Sequence, residues 1–217
     1  MTETKREAKL IQYLSEAYAK EKELETALQA HIGMTSRKPY KKRLEDHLKE
    51  TKSHSRSLER RIKEIGGGGP QLIEKVAGQA VGRAKALAQG PLHMARGVGD
   101  AEKMLKNAKT EYFNEHEEIA TYTAIEALAE SVGDDETAKL AREIRRDEER
   151  MAKFLVGQIP VLTKAVVTAE VPASERSKAN RGRRRRASRS SRSTRTRSSS
   201  RRSRSGSSSS RSSARGG

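Results

Sequence analysis

Residues 111–126 read EYFNEHEEIATYTAIE, and this stretch decides the fold because it sets a carboxylate where a helix buries hydrocarbon. At about 100° per residue, Met104, Ala108, Tyr112, Ile119, Tyr122 and Ala129 fall on one helical face, with Glu115 in its middle. Burying one unpaired carboxylate costs on the order of several kcal/mol, so this helix needs a proton, a cationic side chain or a metal beside the acid.

Outward from that stretch, the same periodicity predicts a helix over about 100–131, closed near Val132-Gly133-Asp134-Asp135. The two acids favour a new helix start, and Thr137, Leu140, Ala141, Ile144, Met151, Ala152 and Leu155 define its inner face, with Glu148 at the centre. Pro160 is expected to end or kink this helix and leave 161–171 as a short apolar tail. Towards the N-terminus, Leu10, Leu14, Ala17, Leu24 and Leu28 predict a first helix over about 4–30, and Glu21 lies on the same stripe. Gly33 suits the end of that helix and Pro39 the start of the next.

The second helix, about 38–65, carries Leu44, Leu48, Thr51, Ser55, Leu58, Ile62 and Ile65 in alternating four- and three-residue steps, the seam of an antiparallel pair. His47, Glu50 and His54 stack along its flank. Four consecutive glycines, Gly66 to Gly69, stop it, and the Gly-rich stretch that follows is readable as one weak amphipathic helix. A long connection between the second and third helices lets those two run parallel. The reading is therefore all-α: a ferritin-like four-helix bundle over 1–171, with 66–99 as its crossover.

Composition divides the chain at the same place. From Pro172 to Gly217 there are 15 Arg and one Lys against one Glu, so nearly all of the +17 net charge lies there and the first 171 residues are close to neutral. Rich in Arg, Ser and Gly, the segment 172–217 buries too little to offset the entropy of ordering and is expected to be disordered. The absence of Cys excludes disulfides, thiolate metal sites and cysteine nucleophiles. MTETKREAKL at the start lacks the apolar core of a signal peptide, and no run approaches the ~20 apolar residues of a membrane span. A cytoplasmic protein is expected.

Three helices thus place one acid each on an apolar stripe, Glu21, Glu115 and Glu148, and the fourth offers Glu50 between His47 and His54. One such acid is ordinarily a rim residue or half of an ion pair. Three in one small bundle are harder to dismiss, because acids at one depth repel each other unless divalent cations bridge them. Carboxylate and imidazole donors suit iron or manganese, with zinc also admissible, and one acid from each of two helices plus acid and His from the others is the di-iron carboxylate plan.

The segments YLSEAYAKEKEL (13–24), HLKETKSHSRSLE (47–59), EHEEIATYTAIEALAESVG (115–133) and DEERMAKFLVGQI (147–159) resemble the bacterial YciE/YciF-type ferritin-like proteins, the EHxEIAxY and HLxET strings most specifically. The resemblance implies a di-metal centre and a link to stress responses. Carried over residue by residue, it implies Glu21, Glu50, Glu115, Glu118 and Glu148 as carboxylate ligands, with His54 standing where relatives often carry Gln. Two departures stand against a complete two-iron site: Ser53 follows Glu50 by three, and Met151 follows Glu148 by three, where the general ferritin-like pattern has His. Glu118 could bridge from the flank or be solvated. His116 is open to a structural role or to ligation, and Tyr18, Tyr112 and Tyr122 are open to core packing, hydrogen bonding to ligands or redox chemistry.

In the tail, Arg183, Arg184, Arg185, Arg186, Arg189 and Arg192 are expected to bind DNA or RNA without sequence preference, through counterion release, and no aromatic residue accompanies them for base stacking. The expected function is handling of iron or peroxide, with ferroxidase-like activity one version of it, near nucleic acid and in association with the nucleoid, by a homodimer or higher homo-oligomer. The alternative is a metal-free structural or nucleoid-associated protein that acts through its tail.

Overall fold

The computed structural model describes residues 4–66, 78 and 99–176. Its helices are α1, Lys5–Met34; α2, Lys38–Glu64; α3, Asp100–Ser131; and α4, Asp135–Glu170, and there is no strand among the described residues. All four lie in one compact unit that ends at Glu170. The 66–99 crossover, apart from its ends and Gly78, and the tail from 177 onward, including its six named arginines, lie outside the described residues.

Side-chain pairings fix the directions of the helices. His31 meets Glu111 while Glu21 meets Tyr122, so α1 and α3 are antiparallel. Tyr40 packs near Phe154, His54 reaches Asp147 and Arg61 reaches Thr137, so α2 and α4 are antiparallel as well. Tyr40 meets Glu111 and His47 meets Glu115, which makes α2 and α3 parallel. The end of α2 and the start of α3 are therefore at opposite ends of the bundle, the arrangement that a long crossover between two helical hairpins requires.

Two helix limits differ from the sequence reading. The first helix runs through Gly33 to Met34 and is capped by Thr35, whose hydroxyl donates to the His31 carbonyl at 2.7 Å. The fourth continues through Pro160 to Glu170. Proline removes one helical N–H, but Pro160 faces solvent while Leu155 and Leu162 on either side are fully buried, and that packing holds the helix together. Continuity also makes α4 long and apolar enough to cross a membrane by length and composition alone.

The apolar core is in two main parts. Ile11, Leu14, Tyr18, Leu58, Ile62, Tyr122, Ile125 and Ile144 fill one side, extended by Leu10, Ala129 and Ala138, and Leu28, Tyr40, Leu44, Met104, Met151, Leu155 and Leu162 fill the other. Between them, every helix contributes polar side chains. At one end Arg61 ties α2 to the α3–α4 turn, donating to Asp134 at 2.7 Å, Glu136 at 2.6 Å and the Thr137 hydroxyl at 2.9 Å. Asp134 in turn accepts from the Thr137 backbone N–H at 3.0 Å, an N-terminal cap on α4, and Gly133 makes the turn with a φ of 70°.

Burial alone would raise the Asp134 carboxyl, but the Thr137 N–H and the Arg61 guanidinium outweigh it and hold it below the usual carboxylate range. A lowered folded pKa gives stability that is complete above the unfolded value and is lost as pH falls through the folded one. Asp134→Ala should therefore lower the unfolding free energy by about 0.5–2 kcal/mol at neutral pH. Urea unfolding at a series of pH values should show the difference from wild type shrinking below about pH 4.

Candidate metal centre

The polar layer arises from a 3-4 spacing shared by all four helices. The inner positions are Leu14, Glu21 and Leu28 on α1; Leu44, His47, Thr51, His54 and Leu58 on α2; Met104, Ala108, Glu111, Glu115, Glu118, Tyr122 and Ile125 on α3; and Ala141, Ile144, Glu148, Met151 and Leu155 on α4. Each line is a seam of the kind that packs a bundle, with polar residues in place of apolar ones near mid-helix. The acids are thus held by backbone positions that cannot turn outward without unpacking the leucines on the same line.

This corrects the inner face expected for α3. Tyr112 and Ile119 are only partly buried, and the core takes Glu111, Glu118 and Ile125 instead. Glu21, Glu115, Glu118 and Glu148 are all buried, as are His47 and His54. Glu50 is not brought into the layer: its side chain keeps 29% exposure and Oε2 faces Arg43 Nη1 at 2.8 Å and His47 Nδ1 at 3.0 Å. His116 is exposed and lies against Tyr112, with ring centroids 4.3 Å apart. Of the three tyrosines, Tyr18 packs in the apolar core and Tyr122 donates to Glu21 Oε1 at 2.5 Å.

Two triads of donors converge. Glu21, His54 and Glu148 form one and His47, Glu115 and Glu148 the other, with the donor atoms of each triad within 4.8 Å of one another. Glu148 is common to both: its Oε1 is 2.9 Å from His54 Nδ1 and its Oε2 is 3.6 Å from His47 Nε2. His47 Nε2 also lies 3.2 Å from Glu115 Oε1, and His54 Nδ1 lies 3.4 Å from Glu21 Oε1. Their other ring nitrogens face outward, His47 Nδ1 to Glu50 and His54 Nε2 to Asp147 Oδ2 at 3.2 Å.

Electrostatics marks the layer as over-supplied with negative charge. Burial pushes Glu115 up to about 8 despite its partner His47, and Glu148 nearby adds to the rise. Burial raises Glu21 and carries Glu118 well above the usual range, with the neighbouring acids contributing to both. Against burial, which favours neutral imidazole, Glu115, Glu50 and Glu148 lift His47 to about 10, and Glu148 and Glu21 do the same for His54. Glu148 alone among the four acids is lowered, because His54 and His47 together outweigh its desolvation.

The donor set fits a cation. Glu21 Oε2, Glu115 Oε2, Glu118 Oε1 and Glu148 Oε2 are buried without a hydrogen-bond partner, while Glu148 Oε1 has only His54 Nδ1 at 2.9 Å. Buried polar atoms are ordinarily paired, and these carboxylates and imidazoles are grouped closely enough that they could hold a metal ion. Four carboxylates and two neutral imidazoles balance two divalent cations without residual charge. Glu111 behaves differently: it is equally buried, but its Oε1 meets His31 Nδ1 at 2.5 Å and its Oε2 accepts from the Tyr40 hydroxyl at 2.9 Å.

The sequence reading noted His47 only on a flank and did not single out Glu111, His31, Tyr40 or Asp147 for a role. The alternating 4-3 steps that it applied to α2 would, on α3, have run Ala108, Glu111, Glu115, Glu118, Tyr122. That signal was present for Glu111 and Glu118. Nothing local distinguishes His31 or Asp147.

The chain belongs to the family described as Domain of unknown function (DUF892), which it matches over residues 5–168. It is similar to a protein of known crystal structure from Xanthomonas campestris pv. campestris str. ATCC 33913, at 26% identity and a TM-score of 0.61, over 77% of this chain and 99% of that one. It is also similar to YcfI from Rhodopseudomonas palustris, at 23% identity and a TM-score of 0.49, over 70% of this chain and 94% of that one.

A buried carboxyl whose folded pKa is raised destabilises the protein increasingly as pH rises above its unfolded value. Glu118→Gln keeps the shape and removes that charge, so in chelator it should stabilise the fold by about 1–4 kcal/mol at pH 8. The advantage over wild type should narrow towards pH 4. Urea unfolding of the metal-free proteins measures both, and a loss of stability would instead mean that Glu118 is held by a cationic side chain.

Proposed function

We propose that this member of the DUF892 family binds a pair of divalent cations in the middle of its bundle, iron first and manganese or zinc as alternatives, and that it handles iron or peroxide under stress. The observation that carries the reading is the set of unpartnered carboxylate oxygens that converge from α1, α3 and α4. Glu21, His54 and Glu148 would hold one cation and His47, Glu115 and Glu148 the other, with Glu118 close enough to feel all three of these acids. Oxygen and imidazole donors favour these metals over soft ones. The YciE/YciF-type resemblance of the EHxEIAxY and HLxET strings supports the same assignment.

A bound iron pair supplies one-electron chemistry towards dioxygen or peroxide. The chain's own groups supply the rest. Glu148 spans both triads and sets their separation. Tyr122 orients Glu21 through its hydroxyl. The apolar walls above and below the layer, with Ile125 and Ile144 on one side and Met151 and Leu44 on the other, exclude bulk water.

The metal-free alternative draws support from the pairing of His47 and His54 with the acids, which partly balances the layer without any ion. Two imidazolium groups balance two of the four carboxylates, and the other two must hold protons or meet cations. The proposal extends to the tail: its 15 arginines and single lysine would bind DNA or RNA without sequence preference and bring the bundle to the nucleoid. Composition alone supports that part.

Anaerobic titration of the chelated protein with ferrous iron should show two ions per chain, followed on oxygenation by near-ultraviolet absorption. At 100 times Kd a bound ion adds about 2.7 kcal/mol, which raises the melting temperature. Glu21→Gln should retain one site and Glu148→Gln should lose both. Absence of bound metal and of any thermal shift would leave the metal-free reading. For the tail, binding to duplex DNA should weaken steeply with salt, and a chain ending at residue 171 should not bind.

A further inference from the structure

We propose that Glu50 and Asp147 are positioning residues of the centre, each fixing one imidazole through its outer nitrogen so that the inner nitrogen is turned to the buried carboxylates. This rests on the cation-binding reading above. A neutral imidazole has one N–H and one lone pair, and whatever accepts the N–H decides which nitrogen is left for a cation. Glu50 Oε2 lies 3.0 Å from His47 Nδ1, which leaves Nε2 to the triad with Glu115 and Glu148. Asp147 Oδ2 lies 3.2 Å from His54 Nε2, which leaves Nδ1 to the triad with Glu21 and Glu148. The two histidines are therefore held as opposite tautomers, and each triad has its own outer acid.

Both outer acids are themselves held. Arg43 Nη1 donates to Glu50 at 2.8 Å and Arg150 pairs with Asp147. Their side chains remain 29% and 27% exposed, so each arginine, acid and histidine forms a short chain from solvent to the buried layer. Neither acid belongs to either triad. Successive helical residues point about 100° apart, so Asp147 cannot share the inward line with Glu148. Glu50 shares the flank of α2 with His47 and His54 but is turned to Arg43 and stays 29% exposed.

The arrangement predicts a cost to affinity without a cost to the fold. Wild type and the variants Glu50→Gln, Glu50→Ala, Asp147→Asn and Asp147→Ala are titrated with cobalt(II), read by its visible absorption. Wild type should take up two ions per chain. Each alanine variant should weaken one of the two by about 10–100-fold and alter its cobalt spectrum. The amide variants, which keep an acceptor oxygen and lose the charge, should fall between.

Circular dichroism and melting of the chelated proteins should be close to wild type. In the zinc-loaded form, long-range proton–nitrogen spectra should show His47 carrying its proton on Nδ1 and His54 on Nε2, with the former assignment lost in Glu50→Ala. Unchanged cobalt affinity and spectra in both alanine variants would overturn the proposal, as would a loss of melting temperature with affinity intact. If Glu50→Ala does not fold, the isosteric Glu50→Gln decides by the same comparison. No cobalt uptake by wild type would defeat the cation reading itself, a separate outcome from wild-type uptake that the variants leave unaltered.

Discussion

Four carboxylates enclosed in one layer of a helical bundle are the constraint to which the rest of this structure answers. Burial makes each charge expensive, and proximity makes the set more expensive than its members. The protein supplies two imidazoles within the layer, whose basicity the carboxylates lift to about 10, while Glu118 and Glu21 remain raised. Internal compensation is therefore partial. The carboxyls left over must hold protons, and a pair of divalent ions with neutral histidines would balance all four without them.

A layer of this kind costs stability, so the ends of the bundle must provide it. One end has Leu10, Ile11, Leu14, Leu58, Ile62 and Ile144 and is closed by the Arg61 clamp on the α3–α4 turn. The other has Tyr40, Leu44, Met104, Met151, Leu155 and Leu162. Full burial of a large apolar side chain contributes about 1.5–3 kcal/mol, and each of these positions is one helical turn or a few from an acid on the same line. The rods are thus fixed at both ends and strained electrostatically in the middle, the division expected when a site is kept at the expense of stability.

Much of this was legible in the sequence, since helical periodicity and the position of glycines and prolines are local signals. The four helices, their order and the parallel course of α2 and α3 follow from them. Glu21, Glu115 and Glu148 were visible because an acid amid leucines and alanines breaks a pattern. The part that was not legible depends on rotation about the helix axis. A shift of one residue in the assumed seam on α3 exchanged Tyr112 and Ile119 for Glu111, Glu118 and Ile125. On α2, Leu48 was assigned inside in place of His47, because hydrophobicity alone prefers leucine. Pro160 failed as a stop because packing on both sides of it outweighs one absent hydrogen bond.

Glu111 shows why the centre is more than a collection of buried acids. It occupies the same seam of α3 as Glu115, one turn away, and is as thoroughly enclosed. Yet His31 meets one of its oxygens and the Tyr40 hydroxyl donates to the other, so both are satisfied. A carboxylate with two protein partners is a structural tie between α1, α2 and α3. One turn further on, the pattern changes: Glu115, Glu118, Glu148 and Glu21 each keep an oxygen with no hydrogen-bond partner, and Glu21, Glu115 and Glu148 belong to the two donor triads. The same helix thus carries both solutions to burying an acid. The contrast locates the centre in the turn where the fold brings carboxylates together and supplies too few donors to satisfy them.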